Sequence, residues 1–395
     1  MRADVAVVGG GSAGIAAAVT AARTGARVVL VERNARLGGQ VAVALVHSIC
    51  GLYLLREHES QPLQPSNPGF PMEFARKLVR MGGASGPVRM GRLDVLLHEP
   101  AAFATLADNL CAGLPGLEVR LQTKLLDAES RGGRMMLCLD SRGQREELEA
   151  GTVVDATGGA EVAALAGAGW TQADQLQRPA YIFKIAGVDF EAMTADGRIQ
   201  TAQALSGAVA DGILPPTALR TTFRTGVTGN DVWATVDQAV DAADPFDPIW
   251  LSTIESEGRN LAAQIARFLR GALPGFRRAV ISAFPECAGI RESRRIHGQY
   301  ELSTEDVRAG AQFSDTVAWS AWPMEFHGRR HGTKFDFPLD NRPCGIPLRS
   351  LRSRDFANLF MAGRCISCSH EAQAAVRVIG TCMATGEAAG KAAAG

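Results

Sequence analysis

Three glycines near the start of the chain, Gly9, Gly11 and Gly14, are spaced G-x-G-x-x-G and could hold an anion on backbone N–H groups. They lie between the apolar run Val5-Ala6-Val7-Val8 and a small-residue stretch that opens with Ser12 and Ala13. A second apolar run, Val28-Val29-Leu30-Val31, ends on an acid, Glu32. Gly9 permits the tight turn, Gly11 lets a pyrophosphate approach the backbone, and Gly14 lets helix and strand pack closely. The helix N-terminus then faces the phosphates, and Glu32 can accept hydrogen bonds from both hydroxyls of a ribose. The full strand–turn–helix–strand–acid unit reads as a site for an adenine dinucleotide.

Other residues could act on a substrate. Arg291, Arg294, Arg295 and His297 cluster within seven positions. An arginine offers a planar, permanently charged fork that suits a carboxylate. On extended chain Arg291, Arg295 and His297 share one face; on a helix Arg291, Arg294 and Arg295 do. A structural ion-pair set with Glu292, Glu301 and Asp306 is the competing role. His370, Glu371 and Arg377 stand between a late strand and the last helix, where His370 could exchange a proton near neutral pH or simply cap the loop. Cys365 and Cys368 form a C-x-x-C, which serves either as a redox dithiol or as plain packing.

These residues need a scaffold. The pattern predicts a helix at about 99–113, opened by Glu99-Pro100 and closed near Gly113. Strands are expected at 117–123, 134–140 and 145–150, with Ser141-Arg142-Gly143 as a turn; together they read as a meander inserted into a doubly wound sheet. Residues 61–71 carry four prolines and read as a surface loop, a candidate lid. The strand Thr152–Asp155 runs into Ala156-Thr157-Gly158, a second place for the backbone to touch a ligand. Ser252 and Glu255 predict a capping box that starts a helix over 253–270, stopped by Gly271 and Pro274. Leu359–Ala362 reads as a last buried strand. The final helix, about 378–394, carries Gly380, Ala384 and Ala388 at four-residue spacing, a face bare enough to press on a backbone or a ring.

Composition excludes several classes. With 41 basic and 41 acidic residues among 395, no global field attracts nucleic acid or an acidic membrane. No apolar run is long enough to span a bilayer, and residues 5–22 read as the phosphate turn rather than a leader. Eight scattered cysteines predict reduced thiols in a cytoplasmic protein, with no zinc or iron–sulfur spacing and so no bound metal. The length implies two domains: a dinucleotide-binding domain from 1–168 and 339–395, and a substrate domain over 169–338 that holds all five tryptophans. The expected class is α/β: a Rossmann-like domain with an inserted β-meander and a second α+β substrate domain.

Four ordered blocks carry a family resemblance: Asp155-Ala156-Thr157-Gly158, the Arg291–Gly298 run, Ala362–Ser367, and Arg377–Gly390. The chain resembles FAD-dependent oxidoreductases of the two-dinucleotide-binding-domain type, distantly related to fumarate reductase and succinate dehydrogenase flavoproteins. The resemblance covers nearly the whole chain. It implies that Gly9, Gly11, Ser12, Ala13, Gly14, Glu32 and Arg33 hold the AMP half of FAD. Gly38, Gly39 and Gln40 would line the ribityl or ring side, Thr157 and Gly158 the pyrophosphate turn, and Gly363 with Arg364 the ribityl–pyrophosphate segment. Ile379, Gly380 and Thr381 would set a helix N-terminus at the N1/O2 edge of the ring, where a helix dipole stabilises an anion by up to about 2 kcal/mol. His47 and Cys50 stand near where related flavoproteins sometimes bond covalently to the ring, although the surrounding motif departs from theirs. A Gly-Asp near the last strand, usual in aromatic hydroxylases, is replaced by Gly363-Arg364.

The implied activity is hydride exchange between flavin N5 and a small organic substrate, a carboxylate-bearing one being suited to the arginines. Arg291, His297, His370 and Arg377 are the expected catalytic residues. A second pyridine-nucleotide unit is absent from the sequence, so electrons come from a substrate, a quinone, a partner protein or NAD(P)H bound without its own domain. An FAD-dependent monooxygenase and a non-catalytic electron-transfer subunit are the alternatives. The oligomeric state is left open.

Overall fold

The structure is a computed structural model that describes residues 1–229, 231–238, 244–328 and 332–395. Residues 5–8, within the strand Arg2–Val8, and all of Val28–Val31 are buried from both faces, as interior strands of a parallel sheet are. They pair in parallel with each other, Val28–Val31 pairs with Leu117–Arg120, and Arg2–Val8 pairs with the upper part of the long strand Gln144–Asp155. Along its other edge that long strand is shared. Its first half pairs antiparallel with Arg134–Ser141, which in turn pairs with Thr123–Arg131; its end pairs in parallel with Leu359–Met361. The class is α/β, with a β-meander grafted onto a doubly wound sheet.

The meander differs in detail from the sequence expectation. Leu117–Arg120 belongs to the parallel sheet, and the chain turns at Gln122, with φ of 51°, before the first meander strand begins at Thr123. Arg142 and Gly143 take positive φ, so the hairpin turn falls where Ser-Arg-Gly placed it. The 99–113 helix is found as Pro100–Ala112. The proline-rich stretch is loop only as far as Gly69. Phe70-Pro71 opens a helix to Arg80, because proline suits the first turn, where its missing N–H costs nothing. The 253–270 helix is longer, Pro248–Ala272, and its cap is Asp247 rather than a Ser252 box. Asp247 accepts from Ile249 N–H at 2.9 Å, while Ser252 donates to the Pro248 carbonyl inside the first turn.

Four antiparallel strands, in the order Thr221–Thr225, Asp231–Asp237, Ala180–Ala186, Val280–Ala283, form a second sheet. One face of it, with Tyr181, Phe183, Ile185, Val232, Ala234 and Val236, is buried with Trp250, Ile254, Leu261, Ile265 and Leu269 of the long helix. Full burial of one such side chain is worth about 1.5–3 kcal/mol. Alternating residues on the opposite face, among them Ala180, Ile182, Thr235 and Asp237, line a cavity. The helix Ser12–Arg23 packs along the last helix, Ile379–Ala394, through glycines: a Cβ at Gly386 would collide with the Ala13 carbonyl, and one at Gly390 with that of Ala17. Ala384 and Ala388, from the predicted bare face, are buried instead in the core that includes the meander strands and Leu359–Met361. Among the described residues no helix is long and apolar enough to cross a membrane.

Candidate functional site

At the C-terminal end of Arg2–Val8 the chain must turn sharply, and Gly9 does so at φ of 102°. A side chain there would collide with the carbonyl of Ala156 on the neighbouring strand end, and one at Gly14 would collide with the Gly9 carbonyl itself. The first helix hydrogen bond runs from Ile15 N–H to Gly11, which leaves the N–H groups of Ser12, Ala13 and Gly14 without helical partners. Gly38 and Gly39, both at positive φ, lie against this turn: Gly38 N–H donates to the Gly10 carbonyl at 2.8 Å, and a Cβ on Gly39 would come within 2.7 Å of Gly11 Cα. Glu32 is 4% exposed; it accepts from Gly10 N–H at 2.7 Å and from Asn34 N–H and Nδ2 at 2.8 and 2.6 Å.

A cavity of about 1460 Å³ runs from this turn across to the second sheet. Its walls include Gly9, Gly11, Ser12, Ala13, Glu32, Arg33, Gly38, Gly39 and Gln40 at one end. Thr157, Gly158, Gly363, Arg364 and Ile379 line it as well. Three residues expected at the cofactor do not line it. Gly14 is spent on the Gly9 carbonyl, Gly380 N–H donates to the Cys50 carbonyl at 2.9 Å with its Cα against Gly51, and Thr381 is fully buried behind Gly51. Arg364 is fixed in the wall, donating to the carbonyls of Ile290 and Gly158.

The expected catalytic cluster is divided by the fold. Arg291 and Arg377 line the cavity; His297 and His370 do not. Arg291 is already engaged, donating to the Arg178 carbonyl at 2.5 Å and to Asp237 Oδ1 at 2.7 Å. Arg294 stacks over Phe246 and Trp170, with its guanidinium carbon 3.6 and 4.7 Å from the ring centres. Arg295 and His370 both meet the buried carboxylate of Glu292, at 2.6 Å each, because a carboxylate removed from water needs cationic or donor neighbours. His297 packs at Gly169, its N–H donating to that carbonyl at 2.9 Å. Arg294, Arg295, His297 and His370 thus make contacts away from the cavity lining. Both thiols of the C-x-x-C pair are free and buried, and burial pushes Cys368 to about 12 and Cys365 well above the ordinary thiol value.

Another group of titratable side chains, not singled out in the sequence, lines the cavity. Asp237, at the end of its strand, and Glu325 and His327, on the strand Met324–Gly328, meet in the cavity wall. His327 Nδ1 lies 2.7 Å from Asp237 Oδ2, and Nε2 lies 3.3 Å from Glu325 Oε1. Trp322 Nε1 donates to Glu325 Oε2 at 3.0 Å, and Arg377 Nη2 donates to the Glu325 carbonyl at 3.1 Å. Burial opposes the charge on Asp237, but Arg291 and His327 outweigh it and hold the carboxyl well below its usual range. Burial opposes Glu325 too, and His327 with Arg377 bring it down to about 2. Burial also pulls Arg377 down to about 10. A carboxylate only accepts, so each His327 contact is a hydrogen bond when the facing ring nitrogen carries the proton. The period of two in Glu325-Phe326-His327 was the available signal for this pair.

Beside it, His47 stacks on Trp233, ring centres 5.0 Å apart and planes 7° apart. Burial, then the charge of Arg224, lowers His47 to about 3, so this wall of the cavity carries a neutral imidazole. Cys50 nearby is pushed by burial to about 12.

Residues 4–395 match the protein family described as FAD dependent oxidoreductase. The chain belongs to that family. This FAD-dependent oxidoreductase is also similar in fold to a geranylgeranyl bacteriochlorophyll reductase-like protein from Thermoplasma acidophilum, at 13% identity over 100% of this chain and 78% of that one, TM-score 0.49. It is similar to a p-nitrophenol 4-monooxygenase from Pseudomonas putida, at 14% identity over 75% and 69% of the two chains, TM-score 0.44. A third likeness is to an anhydrotetracycline hydroxylase from Streptomyces rimosus, at 14% identity over 76% and 55%, TM-score 0.45. FAD is the cofactor of the oxidoreductase, and the wall residues fit it. The turn has glycines where a Cβ would strike the backbone, the N–H groups of Ser12 and Ala13 open a helix without helical partners, and the buried carboxylate of Glu32 lines the same end of the cavity, features a dinucleotide would use.

Proposed function

We propose that this oxidoreductase exchanges a hydride between flavin N5 and a small organic substrate bound in the cavity beneath the second sheet. The observation that carries this reading is the continuity of one cavity from Glu32 and the glycine turn to the Asp237–His327–Glu325 group. Gly11, Ser12 and Ala13 would hold the pyrophosphate, Glu32 the ribose, and Gln40 and Ile379 the ring end; FAD, when bound, supplies the two-electron acceptor or donor. His327 holds the proton that accompanies the hydride, at Nδ1 or Nε2, while Asp237 and Glu325 keep the ring in place and balance its charge. Arg291 locks Asp237 in that position and acts as a positioning residue. We further take 169–338 as the substrate-facing part of the chain, between two stretches that form the FAD-binding part. The eight free cysteines support a reducing, cytoplasmic setting.

Anaerobic titration of the holoenzyme tests the reading, with the flavin band followed against NADH, NADPH and a panel of small metabolites. Bleaching by a metabolite alone is the expected result. Bleaching only by a protein donor would overturn it in favour of an electron-transfer subunit. Fast reoxidation by air with oxygen incorporated into the product would replace it with a monooxygenase.

A further inference from the structure

The second sheet presents cations to the cavity that nothing around them neutralises. Arg220, Thr222 and Arg224 alternate from the end of the turn Pro216–Arg220 along the edge strand Thr221–Thr225, and all three line the cavity. Phe223, between them, packs on the opposite face against the apolar core. Thr222 stands across from Thr235, which also lines the cavity, and Arg224 stands across from Trp233. Among the described residues neither arginine has a hydrogen-bond or ion-pair partner, and Nη1 of Arg220 is shut off from solvent with its donor capacity unused. The acids in the same cavity are committed elsewhere: Asp237 to Arg291 and His327, Glu325 to His327 and Trp322, Glu161 to Arg33, and Glu32 to Gly10 and Asn34. A buried donor left unpaired is costly, more so when charged, so an acceptor brought to Arg220 Nη1 would be held favourably.

We infer that Arg220 and Arg224, together with the hydroxyls of Thr222 and Thr235, form a subsite for an oxyanion of the substrate, a carboxylate or a phosphate. Two guanidinium forks supply bidentate donors, and two hydroxyls add neutral ones. Arg291, whose fork is filled by Asp237 and the Arg178 carbonyl, leaves that task to this pair. The subsite deepens the reading of the cavity as an oxidoreductase active site and rests on it.

The test is calorimetric titration of the FAD-loaded protein with succinate, benzoate and inorganic phosphate, beside the neutral succinamide and benzamide. At least one anion is expected to bind one to one, and the amides are expected not to; whether a carboxylate or phosphate binds names the oxyanion. Arg220→Gln and Arg224→Gln should each weaken that anion by about tenfold or more, with FAD content unchanged, and Arg224→Lys should recover part of the loss. Amides binding as tightly as anions, unchanged affinity in both glutamine variants, or no anion bound by the wild type would each overturn the subsite. Anion binding that behaves as expected, in a protein whose flavin no metabolite reduces, would retain the anion subsite and sink the hydride-exchange reading alone.

Discussion

Glu32 shows how far one side chain can be followed from sequence to consequence. Its position after an apolar run marks it in the sequence, yet its carboxylate is also tied to Gly10 and Asn34, so it shapes the turn as well as facing the cavity. Glu32→Ala should lower FAD affinity by about tenfold or more, read as flavin lost on gel filtration, because charged hydrogen bonds of this kind are worth about 1.5–3 kcal/mol. Full FAD retention would remove Glu32 from the adenosine site. His327→Gln should keep FAD and lower turnover by about 10²–10⁴, the usual worth of a positioned proton carrier. Arg291→Ala should lower turnover with FAD still bound, through release of Asp237; an unchanged rate would take Arg291 out of the site. Arg291 drew notice because it sits in a family block, while His327, Asp237 and Arg224 sit in none. Their strands carry only an alternating pattern, and which face of a strand meets a cavity depends on packing remote in sequence.

Elements obey their local signals where backbone chemistry dominates and depart from them where a tertiary neighbour intervenes. The Asp247-Pro248 start overrides the Ser252 box because proline at the first helical position and an aspartate cap satisfy the same donors one turn earlier. The bare face of the last helix was legible, but its partner was not: Gly386 and Gly390, rather than Gly380, Ala384 and Ala388, admit the first helix. Gly386→Ala should therefore destabilise by about 1–3 kcal/mol, since the Ala13 backbone cannot yield as a side chain could. Gly207→Ala, on a helix with open space beside the glycine, should stabilise by up to about 1 kcal/mol. Calorimetric melting of the pair checks both signs, and a Gly386→Ala protein that melts no lower than wild type would refute the close approach.

At the scale of the molecule, buried titratable groups set the response to acid. Burial lowers His47 to about 3 and His98 to about 4, so the folded state binds fewer protons than the unfolded chain below the ordinary histidine value of 6.5. Their contribution is present above pH 6.5 and is lost as pH falls toward 4. Asp155 acts oppositely: burial raises it to about 6, so its contribution is complete below its ordinary 3.8 and lost as pH rises through 6. Two groups outweigh one, and the melting temperature should fall between pH 7 and pH 5, each unmatched proton costing about 1.4 kcal/mol per pH unit. His98 is fully buried, so His98→Phe should flatten this slope, and an equally steep profile in the variant would assign the acid response elsewhere. Below pH 4, Asp237 and Glu325 add their own loss, since carboxylates held below their usual range stabilise only while ionised. The chain alone determined the glycine turn, the acid that follows it, the doubly wound class and the family, because each is written in residues a few positions apart and in backbone angles that only certain residues adopt. Which arginine, histidine and carboxylates share the cavity was decided by tertiary structure. Strands from distant parts of the chain meet there, and the cost of burying charge pairs Arg291 with Asp237 and His370 with Glu292 while leaving Arg220 and Arg224 open.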